Sequence, residues 1–227
     1  MILRSSEQLD EFALYTLASL RSIDPAQVGL SDYGRPGNYF SRQIDRWIRQ
    51  YRASETERIA AMEHLIEVLP KSVPPQAGNT VVHGDYRIDN VIFSNDRPAV
   101  QAVIDWELST LGDPLADFSY FALNWVAVTN GRSSIVGADL ESLGIPSLSE
   151  TISRYCALTR RESLPDLNWH FAYNLFRLAS IVQGIKRRVI EGNASSEHAA
   201  DFARRVPALA QAGCAFIGGL TPDGRAT

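Results

Sequence analysis

The sequence predicts an α+β fold that is mostly α-helical and contains one small β element. Three observations lead to this prediction. Apolar residues recur at helical spacing through most of the chain, β-branched runs are concentrated between Thr80 and Ile104, and helical patterning resumes after Asp105. With 227 residues, of which 45% are hydrophobic and 21% charged, the chain is long and apolar enough to bury a substantial core. This length allows one large domain or two small ones, and the order of the patterns favours a single domain over residues 1–227.

Three helical patterns precede the β element. The first runs through residues 9–20 and should end before Asp24-Pro25, because the residue before a proline disfavours the helical conformation. A loop rich in turn-forming residues follows at 29–38, and helical spacing resumes at 40–51. The third pattern, at 54–69, opens with a Ser-x-x-Glu capping-box signal, which predicts a helix start there.

Three short runs are predicted as strands, and the second and third as a hairpin: Thr80–His83, Asn90–Phe93 and Val100–Ile104. Asp113 followed by Pro114 is a favourable pair for the start of the next helix. Further helical patterns follow, and the end of the chain is expected to be a frayed tail. These segments are 148–159, 166–190, 196–216 and, for the tail, 218–227.

Composition excludes several classes of protein. With a net charge of −4, the chain lacks the excess of basic residues that a nucleic-acid binder needs. Two cysteines without metal-ligand spacing support neither a disulfide framework nor a structural zinc site, which favours a reducing compartment. The N-terminal residues reach acidic side chains before a signal-peptide core could form, and the stretch 114–128 is too short and too polar to cross a membrane. We expect a cytoplasmic protein with no nucleic-acid or membrane partner.

The most informative segment spans residues 81–118. His83-Gly84-Asp85 is followed after four residues by Asn90, and Asp105 ends a later apolar run. The spacing H-x-D-x-x-x-x-N, with an aspartate at a following strand end, is the catalytic-loop arrangement of kinases. At average residue usage, His-Gly-Asp with an asparagine at this offset arises by chance in about one such chain in a thousand. The pattern therefore indicates phosphoryl transfer.

The chemistry of phosphoryl transfer accounts for this spacing. The reaction needs a carboxylate to orient the acceptor hydroxyl and take its proton, and oxygen ligands to hold Mg²⁺ against the phosphates. A four-residue loop can bring Asp85 and Asn90 to one side of a cleft. The predicted hairpin then folds back and places Asp105 beside Asn90.

The chain here resembles the aminoglycoside phosphotransferase and choline kinase-like family of small-molecule kinases. Glycine after the histidine of the motif, the run IDWE at 104–107 and the run GDPLADF at 112–118 carry the resemblance. Other segments are similar to the branch of this family that is fused to acyl-CoA dehydrogenases, namely DYGRPGNY at 32–39, RWIRQY at 46–51 and FRLASIVQGIKRR at 176–188. The resemblance implies a kinase-like C-terminal lobe whose catalytic loop and metal-binding segment lie in residues 81–107.

The resemblance also implies an enzyme that transfers the γ-phosphate of ATP to a small-molecule hydroxyl, with Mg²⁺ as cofactor. It assigns the catalytic base to Asp85 and contact with the γ-phosphate to Arg87. The remaining roles are magnesium ligands for Asn90, Asp105 and Glu107, and structural support of the catalytic loop for His83 and Asp117.

A nucleotide clamp is not recognisable in the sequence. There is no G-x-G-x-x-G run, and the two lysines, Lys71 and Lys186, lie outside strand patterns. We expect that the N-terminal β lobe of a kinase is absent and that the chain by itself binds MgATP weakly. We expect either a partner that supplies that lobe or a homodimer formed through the apolar face left exposed.

Two alternative functions remain open at this point. One is a non-catalytic kinase-like lobe that binds a metabolite or a partner protein. The other is a metal-dependent hydrolase using His83, Asp85 and Asp105, which is disfavoured because no second histidine completes a ligand set. The acceptor of a phosphoryl group cannot be read from the sequence.

Overall fold

The computed structural model describes residues 6–94, 96–97, 99–128, 134–193 and 199–219. Within these residues most elements are helices, and the α+β fold class is confirmed. The helices are α1 (Ser6–Ser22), α2 (Tyr39–Ser54), α3 (Ala60–Val68), α4 (Leu115–Ala122), α5 (Leu140–Leu143), α6 (Leu148–Thr159), α7 (Asn168–Ile190), α8 (Ala199–Ala203) and α9 (Val206–Ile217). None of the described helices combines the length and the apolar composition needed to cross a bilayer.

The strands form two separate antiparallel pairs. They are β1 (Thr80–Val82), β2 (Val91–Phe93), β3 (Val100–Val103) and β4 (Thr110–Gly112). The pairing of β2 with β3, with Val91 opposite Val103, confirms the predicted hairpin. Strand β4 was not predicted. It pairs with β1 in the register Thr80 opposite Gly112, so its extended conformation depends on a partner 32 positions away rather than on local propensity.

The chain divides into two compact units, and the candidate site lies in the first. The first unit contains the described residues of 1–39, 76–125 and 135–166. In it α1 packs against α6 and β1, over buried side chains that include Leu14, Leu17, Phe118 and Tyr155. Through α1 this core contacts one strand of each pair, β1 and β3. These compact units do not test the domain organisation, so a single domain over 1–227 stays a prediction.

The second unit is helical and contains the described residues of 40–75, 126–134 and 167–227. In it α7 packs against α8 and α9, and α3 packs against α9. Gly213 permits the close approach of α9 to α3, because a Cβ atom there would lie 3.0 Å from Cδ1 of Leu65. Leu65, Phe176 and Leu209 are buried in this core.

Two helix boundaries differ from the sequence prediction. Ser54 does not cap the third helix. It ends α2, and its hydroxyl donates to the carbonyls of Gln50 at 3.0 Å and Tyr51 at 3.1 Å, so its polar group is satisfied within its own helix. The predicted helix over 196–216 is interrupted between α8 and α9, where Pro207 lies in the first turn of α9. Residues 194–198, and 220–227 of the predicted frayed tail, lie outside the described residues.

Candidate active site

Asp85 and Asn90 are in direct contact, as their spacing predicts. The side-chain amide of Asn90 donates to the backbone carbonyl of Asp85 at 2.9 Å and to its Oδ2 at 3.1 Å. The intervening chain closes in a 3₁₀ turn over Ile88–Asn90, with the Asn90 backbone N–H donating to the Arg87 carbonyl at 2.9 Å. No described residue donates to Oδ1 of Asp85, whose side chain is partly exposed. One oxygen of this carboxylate is therefore fixed and the other is open to a ligand.

Asp105 follows directly on the hairpin residue that is bonded to Asn90. The backbone N–H of Ile104 donates to the Asn90 carbonyl at 2.9 Å, which continues the β2–β3 register by one residue. Asp105 itself adopts the left-handed conformation, with φ 69° and ψ 54°. This conformation is uncommon for a non-glycine residue and is concentrated at functional sites. Its exposed carboxylate has no hydrogen-bond or ion-pair partner among the described residues.

His83 connects the catalytic loop to the end of the hairpin. Its Nε2–H donates to the carbonyl of Ile104 at 2.9 Å, and its Nδ1 accepts from the backbone N–H of Asp85 at 3.2 Å. Because a carbonyl can only accept and an amide N–H can only donate, these partners fix the neutral Nε2–H tautomer. The ring is 1% exposed with both nitrogens engaged, which argues against a metal-ligand role and so against the hydrolase.

Asp117 holds the start of the catalytic loop from helix α4. Its buried carboxylate accepts the backbone N–H of His83 at 2.7 Å and of Gly84 at 2.8 Å, one on each oxygen. Gly84 has φ +85°, and a Cβ atom there would lie 2.7 Å from the carbonyl oxygen of Leu108. Glycine is therefore required at this position by both conformation and space. These are the contacts that a supporting role for His83 and Asp117 requires.

Arg87 lies beside the carboxylate of Asp85. Its Nε is 4.0 Å from Oδ2 of Asp85, and its Nη2 is 3.2 Å from Oδ2 of Asp89. Asp89 was not singled out in the sequence, where it is one of several acidic loop residues. The Arg87 guanidinium thus pairs with the exposed carboxylate of Asp89 and lies near the carboxylate of Asp85.

Tyr86 anchors the catalytic loop to helix α1, which the sequence did not predict. Its ring is completely buried, and its hydroxyl donates to the carbonyl of Ala13 at 2.6 Å. Burial, together with the nearby carboxylate of Asp117, raises the pKa of the Tyr86 phenol, so it remains a neutral donor. A tyrosine between Asp85 and Arg87 carries no local signal for this contact, because its partner lies 73 positions earlier.

Three side chains of this segment carry oxygen atoms without protein partners, of the kinds that bind magnesium. They are Oδ1 of Asn90 and the exposed carboxylates of Asp105 and Glu107, to which no described residue donates. In the described part of the chain no three His, Cys, Asp or Glu side chains form a ready metal cluster. An amide and one or two carboxylates nevertheless suit Mg²⁺, which usually takes its remaining ligands from phosphate and water.

The hairpin exposes two large apolar side chains. In the β2–β3 register Ile92 lies opposite Ala102, and Ile104 directly follows the last residue of β3. Ile92 and Ile104 are each 43% exposed, although both are large hydrophobic residues. The site therefore combines an exposed apolar surface with a carboxylate-rich end.

Known proteins resemble this chain over most of its length. Residues 4–152 match the model of the phosphotransferase enzyme family (APH). Mouse acyl-CoA dehydrogenase family member 10 is 38% identical over 206 residues, which cover 88% of this chain and 19% of that protein. Chicken acyl-CoA dehydrogenase family member 11 is 40% identical over 207 residues, which cover 88% and 26%. The chain thus spans about a quarter or less of the length of these relatives.

Solved structures show the same fold. A Ralstonia eutropha protein provisionally named an aminoglycoside phosphotransferase superposes with a TM-score of 0.89 at 39% identity, covering 96% of this chain and 68% of that one. A thermostable mutant of the aminoglycoside phosphotransferase APH(4)-Ia, in a ternary complex with ADP and hygromycin B, gives a TM-score of 0.55 at 13% identity, covering 93% of this chain and 66% of that one. The second likeness shows the fold alone.

Proposed function

This chain belongs to the phosphotransferase enzyme family, and from that premise we propose that it acts in transfer of the ATP γ-phosphate to a small-molecule hydroxyl. The observation that carries the proposal is the carboxylate of Asp85. Asn90 binds its Oδ2 at 3.1 Å, and its Oδ1 is not an acceptor for any described residue. Such a carboxylate is oriented and still able to receive a ligand.

Asp85 is proposed as the catalytic base. The acceptor hydroxyl would donate to the open Oδ1, which takes its proton as the oxygen attacks the phosphate. The amide of Asn90 keeps the carboxylate from rotating, and His83 keeps the backbone of Asp85 in place through Nδ1. Because phosphoryl transfer depends mainly on positioning and electrostatics, this rigidity is the main contribution of the catalytic loop.

Arg87 is proposed to contact the γ-phosphate. Its guanidinium lies beside Asp85 and makes its closest ion pair, at 3.2 Å, with the exposed Asp89. An arginine can exchange an exposed carboxylate partner for a phosphate at small cost, since exposed ion pairs contribute little.

Asn90, Asp105 and Glu107 are proposed to hold magnesium. A bound Mg²⁺ neutralises charge on the phosphates during transfer. The left-handed backbone at Asp105 turns the chain sharply after the hairpin and leaves its carboxylate exposed next to the Asn90 segment. The exposed Ile92 and Ile104 of the hairpin segment are proposed to offer an apolar surface for the base of a nucleotide.

The groups that clamp the nucleotide phosphates are proposed to lie outside these 227 residues, so that this chain by itself binds MgATP weakly. The support for this is the lack of a glycine-rich run and of a strand lysine in the sequence. The acceptor is proposed at the level of a small-molecule hydroxyl, and the site of action as the cytoplasm.

The test combines binding and turnover. Isothermal titration of the chain with MgATP is expected to show weak binding, which Asp105→Asn weakens further, because asparagine keeps the left-handed backbone and removes the charge. ATP consumption with a panel of alcohols is expected to fall by about 10²- to 10⁴-fold in Asp85→Asn. Asp45→Asn, at an exposed position on α2, is the control. Tight micromolar binding by the chain alone would contradict the expected need for a clamp. Unchanged turnover in Asp85→Asn, or alcohol-independent activity without nucleotide, would overturn the phosphotransferase proposal.

A further inference from the structure

We propose that Tyr33 is a positioning residue for the turn that carries Asp105 and Glu107, and that it acts through Ser109. This inference rests on the proposed function, because it concerns the same metal-binding turn. Tyr33 belongs to the 29–38 loop, which the catalytic-loop motif does not include.

The 29–38 loop lies directly on strand β4. A Cβ atom at Gly34 would lie 2.7 Å from the backbone nitrogen of Leu111 and would also overlap the hydroxyl of Thr110. Only a glycine allows the two backbones to approach this closely. The contact brings the preceding residue, Tyr33, next to Ser109, which immediately precedes β4.

The direction of the hydrogen bond between Tyr33 and Ser109 follows from the other partner of Ser109. The Ser109 hydroxyl donates its single proton to the carbonyl of Trp106 at 2.5 Å. It can therefore only accept from the hydroxyl of Tyr33, with which it is in hydrogen-bond contact. The result is a chain of two donations, from Tyr33 to Ser109 and from Ser109 to Trp106, in which each bond polarises the next.

This chain of hydrogen bonds ends at the residue between the two candidate metal ligands. The carbonyl of Trp106 also accepts the backbone N–H of Ser109 at 3.0 Å, which closes the 3₁₀ turn over Trp106–Leu108. On the other side, the indole N–H of Trp106 donates to the Val103 carbonyl at 2.8 Å, and its ring contacts His83 at 4.7 Å between centroids. Trp106 is thus fixed from both sides.

The fixed position of Trp106 matters because the residue before it, Asp105, has a left-handed backbone conformation. Such a conformation persists only where the surrounding structure determines it. Tyr33 reaches the turn from outside the catalytic-loop segment, and its ring is 42% exposed, so burial does not explain its position. The Tyr33 hydroxyl stabilises the turn and thereby positions the carboxylates of Asp105 and Glu107.

The test measures Mn²⁺ binding to the full chain by electron paramagnetic resonance, with Mn²⁺ alone as the probe. Tyr33→Phe removes only the hydroxyl and is expected to weaken Mn²⁺ binding by about 3- to 10-fold, the effect of one net hydrogen bond. Ser109→Ala should give a similar or larger loss, because it removes both donations, and the double variant should lose no more than Ser109→Ala alone. Tyr15→Phe, at a 59% exposed tyrosine in α1, is the matched control and should bind as the wild type does.

The outcomes separate this inference from the proposed function. If Asp105→Asn leaves Mn²⁺ binding unchanged, the proposed metal site fails. If Asp105→Asn weakens binding but Tyr33→Phe and Ser109→Ala do not, the metal site stands and the positioning role of Tyr33 is overturned. Additive losses in the double variant would likewise overturn it, because they would show that the two hydroxyls act independently. The Tm values of Tyr33→Phe and Tyr15→Phe should agree. A merely structural role of Tyr33 would instead lower the Tm of Tyr33→Phe and leave its Mn²⁺ affinity unchanged, which would overturn the proposal.

Discussion

The carboxylate of Asp117 accepts the backbone N–H of His83 at 2.7 Å, across 34 positions of sequence. Its other oxygen accepts the N–H of Gly84 at 2.8 Å. Helix α4 therefore supplies both acceptors for the point where strand β1 ends and the catalytic loop begins. The proposed base, Asp85, is the next residue, so its backbone position depends on the side chain of Asp117.

Replacing Asp117 should destabilise the first unit and loosen the catalytic loop. Asp117→Asn keeps one acceptor oxygen but turns an amide donor toward the second buried N–H, which then lacks a partner. We expect a loss of about 1–3 kcal/mol in the free energy of unfolding, measured by urea denaturation. Asp201→Asn removes the charge of an exposed aspartate and should change the stability by less than about 0.5 kcal/mol. Equal stability of the two variants would contradict the supporting role of Asp117.

Two glycines with positive φ allow the free-energy cost of backbone strain to be separated from the cost of steric overlap. Gly84 has φ +85° and little room for a Cβ, whereas Gly29 has φ +74° and nothing within 4 Å of the position of a Cβ. Gly29→Ala should cost about 1–2 kcal/mol from backbone strain alone. Gly84→Ala adds the overlap with Leu108, and overpacking adds about 1–3 kcal/mol. Unfolding by urea should rank the variants accordingly, and a reversed order would show that the loop can move away from Leu108.

A pair of buried tyrosines tests whether Tyr86 anchors the loop through its hydroxyl. Tyr86→Phe leaves the buried carbonyl of Ala13 without its donor and should cost about 1–3 kcal/mol. The hydroxyl of Tyr155 is also buried, but it has no hydrogen-bond partner among the described residues, and burial raises the pKa of Tyr155 to about 12. Tyr155→Phe should therefore be neutral or stabilising. Calorimetry of both variants checks the prediction, which fails if Tyr155→Phe is the more damaging change.

In the second unit, the ion pair between Arg52 and Glu63 should make stability depend on pH. Arg52 donates to both carboxylate oxygens of Glu63, at 2.5 and 2.8 Å, and this hydrogen bonding lowers the pKa of the Glu63 carboxyl. A lowered folded-state pKa contributes stability that is present above the ordinary glutamate value and is lost as the pH falls through the folded value. The pair is partly exposed, so we expect Glu63→Gln to cost about 0.2–1 kcal/mol at pH 7.

The difference between wild type and Glu63→Gln should then shrink as the pH is lowered below the ordinary glutamate pKa. Urea denaturation at pH 7 and at pH 3 measures it. A difference that grows on acidification would assign the effect to another group. High salt at pH 7 should also reduce it, because an exposed pair is screened.

Local features of the chain were predictable from sequence. The hairpin of β2 and β3 forms where β-branched runs flank a polar turn, and helix α6 has the predicted bounds of 148–159. The contact between Asp85 and Asn90 spans five positions and follows from the spacing of the motif. Boundaries failed where a residue had two possible partners. The Ser54 hydroxyl could cap the next helix or bond within its own, and it does the second.

The sequence by itself determined which groups stand along the catalytic loop and the hairpin, because these groups lie within a few residues of one another or of a tight turn. Only the tertiary structure decided how that segment is held. Strand β4, the acceptors of Asp117, the anchor of Tyr86 and the hydroxyl of Tyr33 all act across 30 or more positions. Such contacts depend on how helices and loops pack around the segment, and no local propensity or spacing encodes that packing.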